Sequence, residues 1–294
     1  MIVSDGRCEP VRLTKHHGQG NDFLVLLDRE DRLSITPGVV VTLCDRRRGV
    51  GADGFIRAVP DEEADFSRPY EVAAVMELFN ADGSRAEMSG NGVRCLGQAL
   101  WDSGWAHGDE VLVRTDAGMR KLLLGEMGGG GIASVSVTMG TIVVGDDVVS
   151  LEWMDGASRE AVARARTADA GNPHLVLQVG RLDAVDLDGI GVAAQRAFPR
   201  GINVEVVQSD GASGRLDIAV FERGVGRTLA CGTGSCAVAA VARAWGLAGT
   251  DGGAVTVANP GGDLWVRWEG EEAILGGPVV RIAEVTVDGE LFAP

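Results

Sequence analysis

Two short sequence patterns each place a side chain that can carry a proton at the start of a predicted helix. Ser89 begins S-G-N-G and Cys231 begins C-G-T-G, and Ala- or Leu-rich helices are predicted directly after them at 92–104 and 234–246. The free N–H groups and the positive dipole of a helix start bind an anion. The same dipole lowers the pKa of a thiol from about 8.5. The patterns therefore predict a carboxylate beside reactive side chains, which suits removal of a proton from one face of a carbon and its return to the other.

Both patterns belong to an internal repeat. GNDFLVL at 20–26 matches GNPHLVL at 171–177, and FNADGSRAEMSGNG at 79–92 matches FERGVGRTLACGTG at 221–234. The two matches occur in the same order, and each is displaced by nearly half the chain. The repeat predicts two domains of one architecture, and it predicts that Ser89 and Cys231 face each other across a cleft between them.

The elements that position these side chains are predicted to be mostly strands. Short β-branched segments between glycines, such as ASVSVTM and LDIAVFE, are typical of strands, and few segments are typical of helices. Besides the two helices above, 36–48 and 158–166 are weaker helical candidates. The GGGG at 128–131 predicts either a hairpin turn or a domain junction.

The composition argues against several classes of protein. The chain has 294 residues, which favours two domains, and 27 Lys and Arg against 42 Asp and Glu give a net charge of −15. That charge disfavours binding to nucleic acid or to an anionic membrane. No apolar run approaches the roughly 18 residues of a membrane span, and the opening segment lacks the pattern of a secretory signal. We therefore predict a cytoplasmic protein.

The reactive residue types narrow the chemistry further. The five cysteines are scattered, which argues against a disulfide framework, and the four histidines show no zinc-ligand spacing. The only lysines are Lys15 and Lys121, which restricts Schiff-base chemistry such as that of pyridoxal phosphate. We therefore predict no structural metal and no chemistry that depends on a Lys Schiff base.

Six motifs follow one another from residue 15 to about residue 237. They are KHHGQGNDFLVLLD, LCDRRRGVGADGF, FNADGSRAEMSGNGVRC, GNPHLVL, FPRGINVEVV and FERGVGRTLACGTGSCA. This series resembles that of the diaminopimelate epimerase family. The resemblance implies an α/β (α+β) fold of two pseudo-symmetric domains, each a mostly antiparallel curled sheet around a central helix, with the active site at the domain interface. It also implies that the chain end rejoins the first domain, giving halves at 1–131, completed by 277–294, and at 132–276.

The resemblance implies a reaction as well. In the family, two cysteines, one from each domain, transfer a proton at an α-carbon without pyridoxal phosphate or metal. Cys231 matches the second of these cysteines, whereas Cys95 and Cys236 are interpreted as core residues. His174 and Glu222 are expected to orient or deprotonate the thiol, although a lone histidine in an apolar strand is often a core residue.

The resemblance also assigns substrate-binding residues. Those expected to hold the α-carboxylate are the amides after the two helix starts and one orienting side chain: Gly90, Asn91, Gly232, Thr233 and Asn21. Those expected to recognise the distal amino-acid end are Asn80, Asn172, Asn203 and Arg223, with Glu222 near its ammonium group. Arginine suits this role because its planar fork meets a carboxylate through two hydrogen bonds. A single asparagine beside glycine is equally typical of a turn.

Two residues depart from the family pattern. Ser89 stands where the family has its first catalytic cysteine, and an alcohol is a much weaker acid than a thiol. Three explanations remain open: an engineered Cys-to-Ser change, a natural variant with slow or one-sided proton transfer, and an inactive paralogue in which Ser89 only caps its helix. Arg227 stands where the family has an acidic residue, which places a positive charge near Cys231.

The function predicted from these residues is epimerisation of LL-diaminopimelate to meso-diaminopimelate, a step of lysine and peptidoglycan biosynthesis. One alternative is a racemase or isomerase of the same fold that acts on another amino acid. The other is a catalytically impaired amino-acid-binding paralogue. The expected partner is a small dicarboxylic diamino acid, without nucleic acid or membrane, and a homodimer is left open.

Overall fold

The chain divides into two compact units. The computed structural model describes residues 3–4, 7–61, 72–127, 131–209, 211, 214–248 and 253–293. Unit 1 consists of Met1–Val137 and Pro278–Pro294, and unit 2 consists of Thr138–Gly277. Most of the glycine run at 128–131 lies outside the described residues, so its predicted role stays a prediction.

Unit 1 is a sheet wrapped around one helix. Its elements are β1 (Val3–Ser4), β2 (Arg7–Cys8), β3 (Val11–Gly18), β4 (Asn21–Leu27), α1 (Pro37–Cys44), β5 (Gly54–Val59), β6 (Val72–Asn80), α2 (Gly90–Asp102), β7 (Glu110–Thr115), β8 (Gly118–Met127), the start of β9 (Ile132–Thr141) and a short 3-10 helix (Gly289–Phe292). The long strand β18 (Glu272–Val287) joins this unit from Pro278 onward. The strand order is β18-β3-β4-β5-β6-β7-β8-β9, and β9 also pairs with β18, so the path closes on itself.

Unit 2 repeats this plan. Its elements are β10 (Val143–Asp147), α3 (Gly156–Ala161), β11 (Val162–Asp169), β12 (Pro173–Val179), a 3-10 helix (Leu182–Ala184), α4 (Leu187–Ala197), β13 (Asn203–Ser209), β14 (Arg215–Glu222), β15 (Gly226–Thr228), α5 (Gly232–Ala244), β16 (Val255–Asn259), β17 (Gly262–Glu269) and the first part of β18. The strand order is β10-β11-β12-β13-β14-β16-β17-β18, and β15 pairs with β14.

The strand pairings show that the two units share one architecture. Successive pairs from β3 to β9 are antiparallel, parallel, antiparallel, parallel, antiparallel and antiparallel. The same series runs from β11 through β12, β13, β14, β16 and β17 to β18. Each parallel pair needs a crossover connection, which α1 and α2 supply in unit 1 and α4 and α5 in unit 2. The predicted pair of pseudo-symmetric domains is confirmed.

The helices α2 and α5 are the centres of the two units. Every residue from 90 to 100 and from 232 to 242 is buried, and several strands of the same unit pack against each helix. Both predicted helices are confirmed, and each begins two residues before the predicted start because its capping side chain is Ser89 or Cys231. Among the described residues, no helix has both the length and the apolar character needed to cross a membrane.

The two weaker helical predictions had different outcomes, and one further helix was not predicted. The candidate at 36–48 contains α1. The candidate at 158–166 is helical only in its first four residues, because α3 ends at Ala161 and the rest is strand β11. Pairing with β12 overrides the helical preference of the Ala and Arg residues in this segment. Helix α4 was not predicted, since its two glycines lower helix propensity. One of them, Gly191, is needed there because a Cβ at this position would overlap the Phe221 ring.

Candidate active site

The two helix starts share one capping geometry. Ser89 has an extended backbone (φ −139°, ψ 119°), and its Oγ accepts a hydrogen bond from the Gly92 N–H at 3.0 Å. Cys231 is extended in the same way (φ −124°, ψ 117°), and its Sγ accepts from the Gly234 N–H at 3.3 Å. Each side chain satisfies one otherwise unpaired N–H group of its helix. The neighbouring first-turn N–H groups are the kind that bind a carboxylate.

The Cys231 thiol lies in a buried, negatively charged environment. The residue is 5% exposed, and its Sγ lies 3.4 Å from Thr233 Oγ1. Burial raises the pKa of the thiol well above its ordinary value, and the charges of Glu222 and Glu205 raise it further. Hydrogen bonds from Thr233 and Gly234 lower this pKa by less. The predicted lowering of the thiol pKa is therefore wrong, because burial and two carboxylates outweigh the helix start.

His174 lies between a carboxylate and an amide. Its Nδ1 is 2.8 Å from Glu205 Oε1, and its Nε2 is 2.8 Å from Asn172 Oδ1. The His174 and Glu205 side chains are both completely buried. The three side chains form a continuous row from the interior of unit 2 to the half-buried Asn172. The ring is held at both nitrogens, which fixes its orientation.

Glu222 is the second carboxyl group near the thiol. Burial raises the pKa of its carboxyl, and the charge of Glu205 raises it further, whereas Cys231 and His174 lower it. A carboxylate with a raised pKa is a stronger base than an ordinary one, and beside a thiol it is suited to exchange a proton with that thiol. Cys231 and His174 are thus both neighbours of Glu222, as expected of the residues that sequence reasoning assigned to orient or deprotonate the thiol.

The first turn of α2 has different neighbours from the first turn of α5. A Cβ on Gly92 would lie 3.3 Å from both Phe23 Cζ and Ile56 Cδ1. A Cβ on Gly234 would lie 3.0 Å from Glu205 Cδ and would overlap the Oε1 of the same carboxylate. The same backbone position therefore meets apolar side chains in unit 1 and a buried acid in unit 2.

Polar side chains in unit 1 lie beside the start of α2. Asn91 Nδ2 donates to Asn21 Oδ1 at 3.4 Å, and Asn21 Nδ2 donates to Asp53 Oδ2 at 3.1 Å. The buried Arg94 donates to Asn91 Oδ1 at 2.7 Å. The structure therefore places Asn21 and Asn91 side by side and fixes both amides through charged neighbours.

Asn203 and Arg223 are linked by a hydrogen bond. Asn203 is 4% exposed, its Nδ2 donates to the Pro173 carbonyl at 3.0 Å, and its Oδ1 accepts from the Arg223 N–H at 2.9 Å. The Arg223 guanidinium is exposed and donates to the Arg200 carbonyl at 2.9 Å. Asn203 therefore fixes the backbone from which Arg223 extends.

Two further residues selected from the sequence have local partners. Asn80 is exposed at the end of β6, and its Nδ2 donates to Ser84 Oγ at 3.0 Å within a turn. Arg227 forms an exposed ion pair with Asp188 at 2.8 Å. The positive charge that the sequence places near Cys231 is therefore offset by a carboxylate of α4.

Sequence reasoning missed Glu205 and Asn259. Asn259 is buried, its Oδ1 accepts from the Cys231 N–H at 3.3 Å, and its Nδ2 donates to Ser235 Oγ at 3.0 Å. The available signal for Glu205 was an acid inside the apolar run INVEVV. In the described part of the chain, no group of three or more His, Cys, Asp and Glu side chains is arranged to hold a metal ion.

Comparisons with known proteins identify relatives of the whole chain. The family model described as diaminopimelate epimerase matches residues 13–144 and 166–282. The diaminopimelate epimerase of Pelotomaculum thermopropionicum is 37% identical over 286 residues, covering 92% of this chain and 97% of that protein. That of Mycolicibacterium smegmatis is 40% identical over 292 residues, covering 93% and 96%. The crystal structure of a probable proline racemase from Agrobacterium radiobacter K84 has the same fold (TM-score 0.69, 17% identity, 97% and 94% covered).

The different neighbours of Gly92 and Gly234 predict different responses to alanine. Alanine at a helical position usually stabilises by up to ~1 kcal/mol relative to glycine. Gly234→Ala should instead lower the free energy of unfolding by roughly 1–3 kcal/mol, because the methyl group overlaps a carboxylate that His174 holds in place. Gly92→Ala should change it by less than ~1 kcal/mol, because the ends of Phe23 and Ile56 can shift. Urea denaturation of both variants tests this, and equal losses would contradict it.

Proposed function

The chain belongs to the diaminopimelate epimerase family and is an amino-acid epimerase, and on that premise we propose that it converts LL-diaminopimelate to meso-diaminopimelate. The observation that carries this proposal is the family match over most of the chain, together with relatives named diaminopimelate epimerase that are matched over nearly their full length. The reaction would serve lysine and peptidoglycan biosynthesis. We propose that it needs no cofactor and takes place in the cytoplasm.

The α-carboxylate of the substrate is assigned to the helix starts. The N–H groups of Gly90, Asn91, Gly232 and Thr233 carry the positive ends of the dipoles of α2 and α5. Asn21 is hydrogen-bonded to Asn91, which supports its role in orienting that carboxylate. Negative charge develops on this group when the α-proton leaves, so fixed N–H donors stabilise the transition state more than the ground state.

The distal amino-acid end is assigned to an exposed arginine and to asparagines. The Arg223 guanidinium can meet the distal carboxylate through two hydrogen bonds, and Asn203 holds the backbone beneath it. Asn172 lies at the outer end of the row that begins at Glu205. Asn80 is assigned here on its motif alone, since its side chain also closes a turn.

Cys231 is assigned as a base for the α-proton. Its thiolate would take the proton and become a thiol, and the carbanion left behind would take a proton on its other face. The raised pKa of Cys231 means that the thiol must first lose its proton. We assign Glu222 to receive that proton, and we assign His174, whose ring nitrogens are both hydrogen-bonded, to orient the site. Glu222 is therefore better supported as a partner of the thiol than as a ligand of the distal ammonium group.

Ser89 is assigned as the group on the other face, and it is a weak one. An alcohol stays protonated near neutral pH, and each unit of unfavourable pKa difference costs about 1.4 kcal/mol. Phe23 and Ile56 provide no proton acceptor at the first turn of α2. We therefore propose that the protein is a slow or one-sided epimerase. The tests below distinguish it from a protein that binds the amino acid without catalysis. A racemase of another amino acid is not favoured, since the proline racemase is similar in fold alone.

The substitution Ser89→Cys should raise the rate of epimerisation by at least about 100-fold, because a general acid–base group typically contributes a factor of that order or more. A thiol at this position would cap α2 as Cys231 caps α5 and would supply the missing acid–base group. Substrate affinity should change little, because the carboxylate-binding amides belong to the backbone. The measurement is the stereochemical purity of LL-diaminopimelate over time with each protein.

The Ser89→Ala variant is the control, because it removes the hydroxyl without adding a thiol. Equal rates for the unmodified protein and the Ser89→Cys variant would contradict the two-base assignment. If neither protein epimerises diaminopimelate but both bind it, the chain is a binding protein.

Replacing Arg223 by Ala should weaken the binding of substrates that have a distal carboxylate by roughly 10- to 100-fold, which corresponds to the loss of a charged hydrogen-bonded pair. Amino acids without a distal carboxylate should be unaffected. The neighbouring Arg227→Ala is a matched control, because that arginine is also exposed but pairs with Asp188. Affinities measured by calorimetry test this, and equal losses for both classes of ligand would contradict the assignment.

A further inference from the structure

Glu205 is a buried carboxylate to which the proposed reaction assigns no role. It lies in the middle of β13 and is 0% exposed. Its Oε1 is 2.8 Å from His174 Nδ1, and among the described residues its Oε2 is buried without a hydrogen-bond partner. Burying a carboxylate with one oxygen unpaired is costly. Such a group needs an explanation.

The fold itself does not require an acid at this position. In unit 2, Glu205 lies opposite Val176 on the parallel neighbour strand, and in unit 1 the matching pair is Ile56 and Val25. Ile56 fills the position with an apolar side chain and leaves the same pattern of strands and central helix. The acid is therefore a feature of the site in unit 2 and not of the shared architecture.

The partner of Glu205 differs between the two units in the same way. The repeat aligns GNPH, which ends at His174, with GNDF, which ends at Phe23. Unit 2 thus carries an acid and an imidazole where unit 1 carries two apolar side chains, and Glu205, like Phe23 and Ile56, lies against the first turn of its central helix. Because Glu205 and His174 both differ from their unit 1 counterparts, the comparison indicates that they act as a pair.

Glu205 and His174 are connected by a hydrogen bond to Asn172, which lies at the edge of the site. His174 Nε2 contacts Asn172 Oδ1 at 2.8 Å, and an oxygen accepting from the ring leaves the Asn172 amide N–H groups directed away from it. We propose that Glu205 is a positioning residue: by holding the His174 ring, it sets the orientation in which the Asn172 amide meets the substrate. This inference rests on the proposed function only for the identity of the ligand that Asn172 contacts.

The charge of Glu205 acts on the same site. The groups that face it are His174 on β12, Glu222 on β14 and Cys231 at the start of α5, and its charge raises the pKa of both Cys231 and Glu222. A Gln side chain removes this charge but keeps an oxygen that can accept from the His174 ring, so it separates the charge of Glu205 from its positioning role.

The test is a double-mutant cycle on the affinity for diaminopimelate, measured by calorimetry so that it does not depend on turnover. Glu205→Ile, which copies Ile56 and removes the hydrogen bond to His174, and Asn172→Ala should each weaken binding about tenfold, and the double variant should be no more than about threefold weaker than either. Glu205→Gln keeps an oxygen that can accept from the His174 ring, so it should weaken binding by less than about threefold. The control pair is Glu205→Ile with Asn80→Ala, an asparagine of unit 1 whose side chain donates to Ser84, and its effects should multiply.

A second readout concerns the histidine itself. The chain has four histidines, so the ring ¹⁵N signals of His174 can be assigned by their loss in His174→Asn. The Nδ1 signal should move in Glu205→Ile, which removes the acceptor, and stay in place in Asn80→Ala. The positioning role would be overturned if the losses of affinity at Glu205 and Asn172 multiplied in the double variant. It would also be overturned if the His174 signal did not move. Failure of the unmodified protein to bind diaminopimelate would instead overturn the proposed function, and the His174 signal would still decide the role of Glu205.

Discussion

Each unit depends on a helix that is buried on all sides, and this raises the question of what satisfies its first N–H groups. A helix leaves these donors unpaired, and inside a sheet they cannot turn to bulk solvent. A single side-chain atom, Ser89 Oγ or Cys231 Sγ, satisfies one of them in each unit. The donors that remain are of the kind that bind an anion, and in our proposal they hold the α-carboxylate of the substrate.

The duplicated scaffold carries two chemically different sites. Both units have the same series of strand pairings and the same cap geometry, but the first turn of α5 lies against a buried carboxylate and the first turn of α2 against apolar groups. The thiol, the imidazole and both carboxyl groups near it belong to unit 2. Proton transfer in our account is therefore concentrated in one unit, and Ser89 limits what the other can contribute.

Much of this could be predicted from the sequence, because it is encoded locally. The Ser89 and Cys231 caps, the central helices and the duplication all follow from short patterns and their repetition. The pKa of Cys231 could not be predicted, since it depends on burial and on acids from two other strands. Glu205 was missed because its partner His174 comes from a different strand, and α4 was missed because Gly191 is explained only by its contact with Phe221.

The central claim is that one of the two proton-transferring positions is weak. It is tested most directly by incubating the unmodified protein in deuterated water with pure LL-diaminopimelate and, separately, with the meso isomer, and following deuterium at the α-carbon before appreciable epimerisation. The account predicts rapid exchange from one isomer and exchange slower by at least about 100-fold from the other, since only Cys231 is a competent base. Equal exchange from both isomers, or exchange from neither, would contradict it.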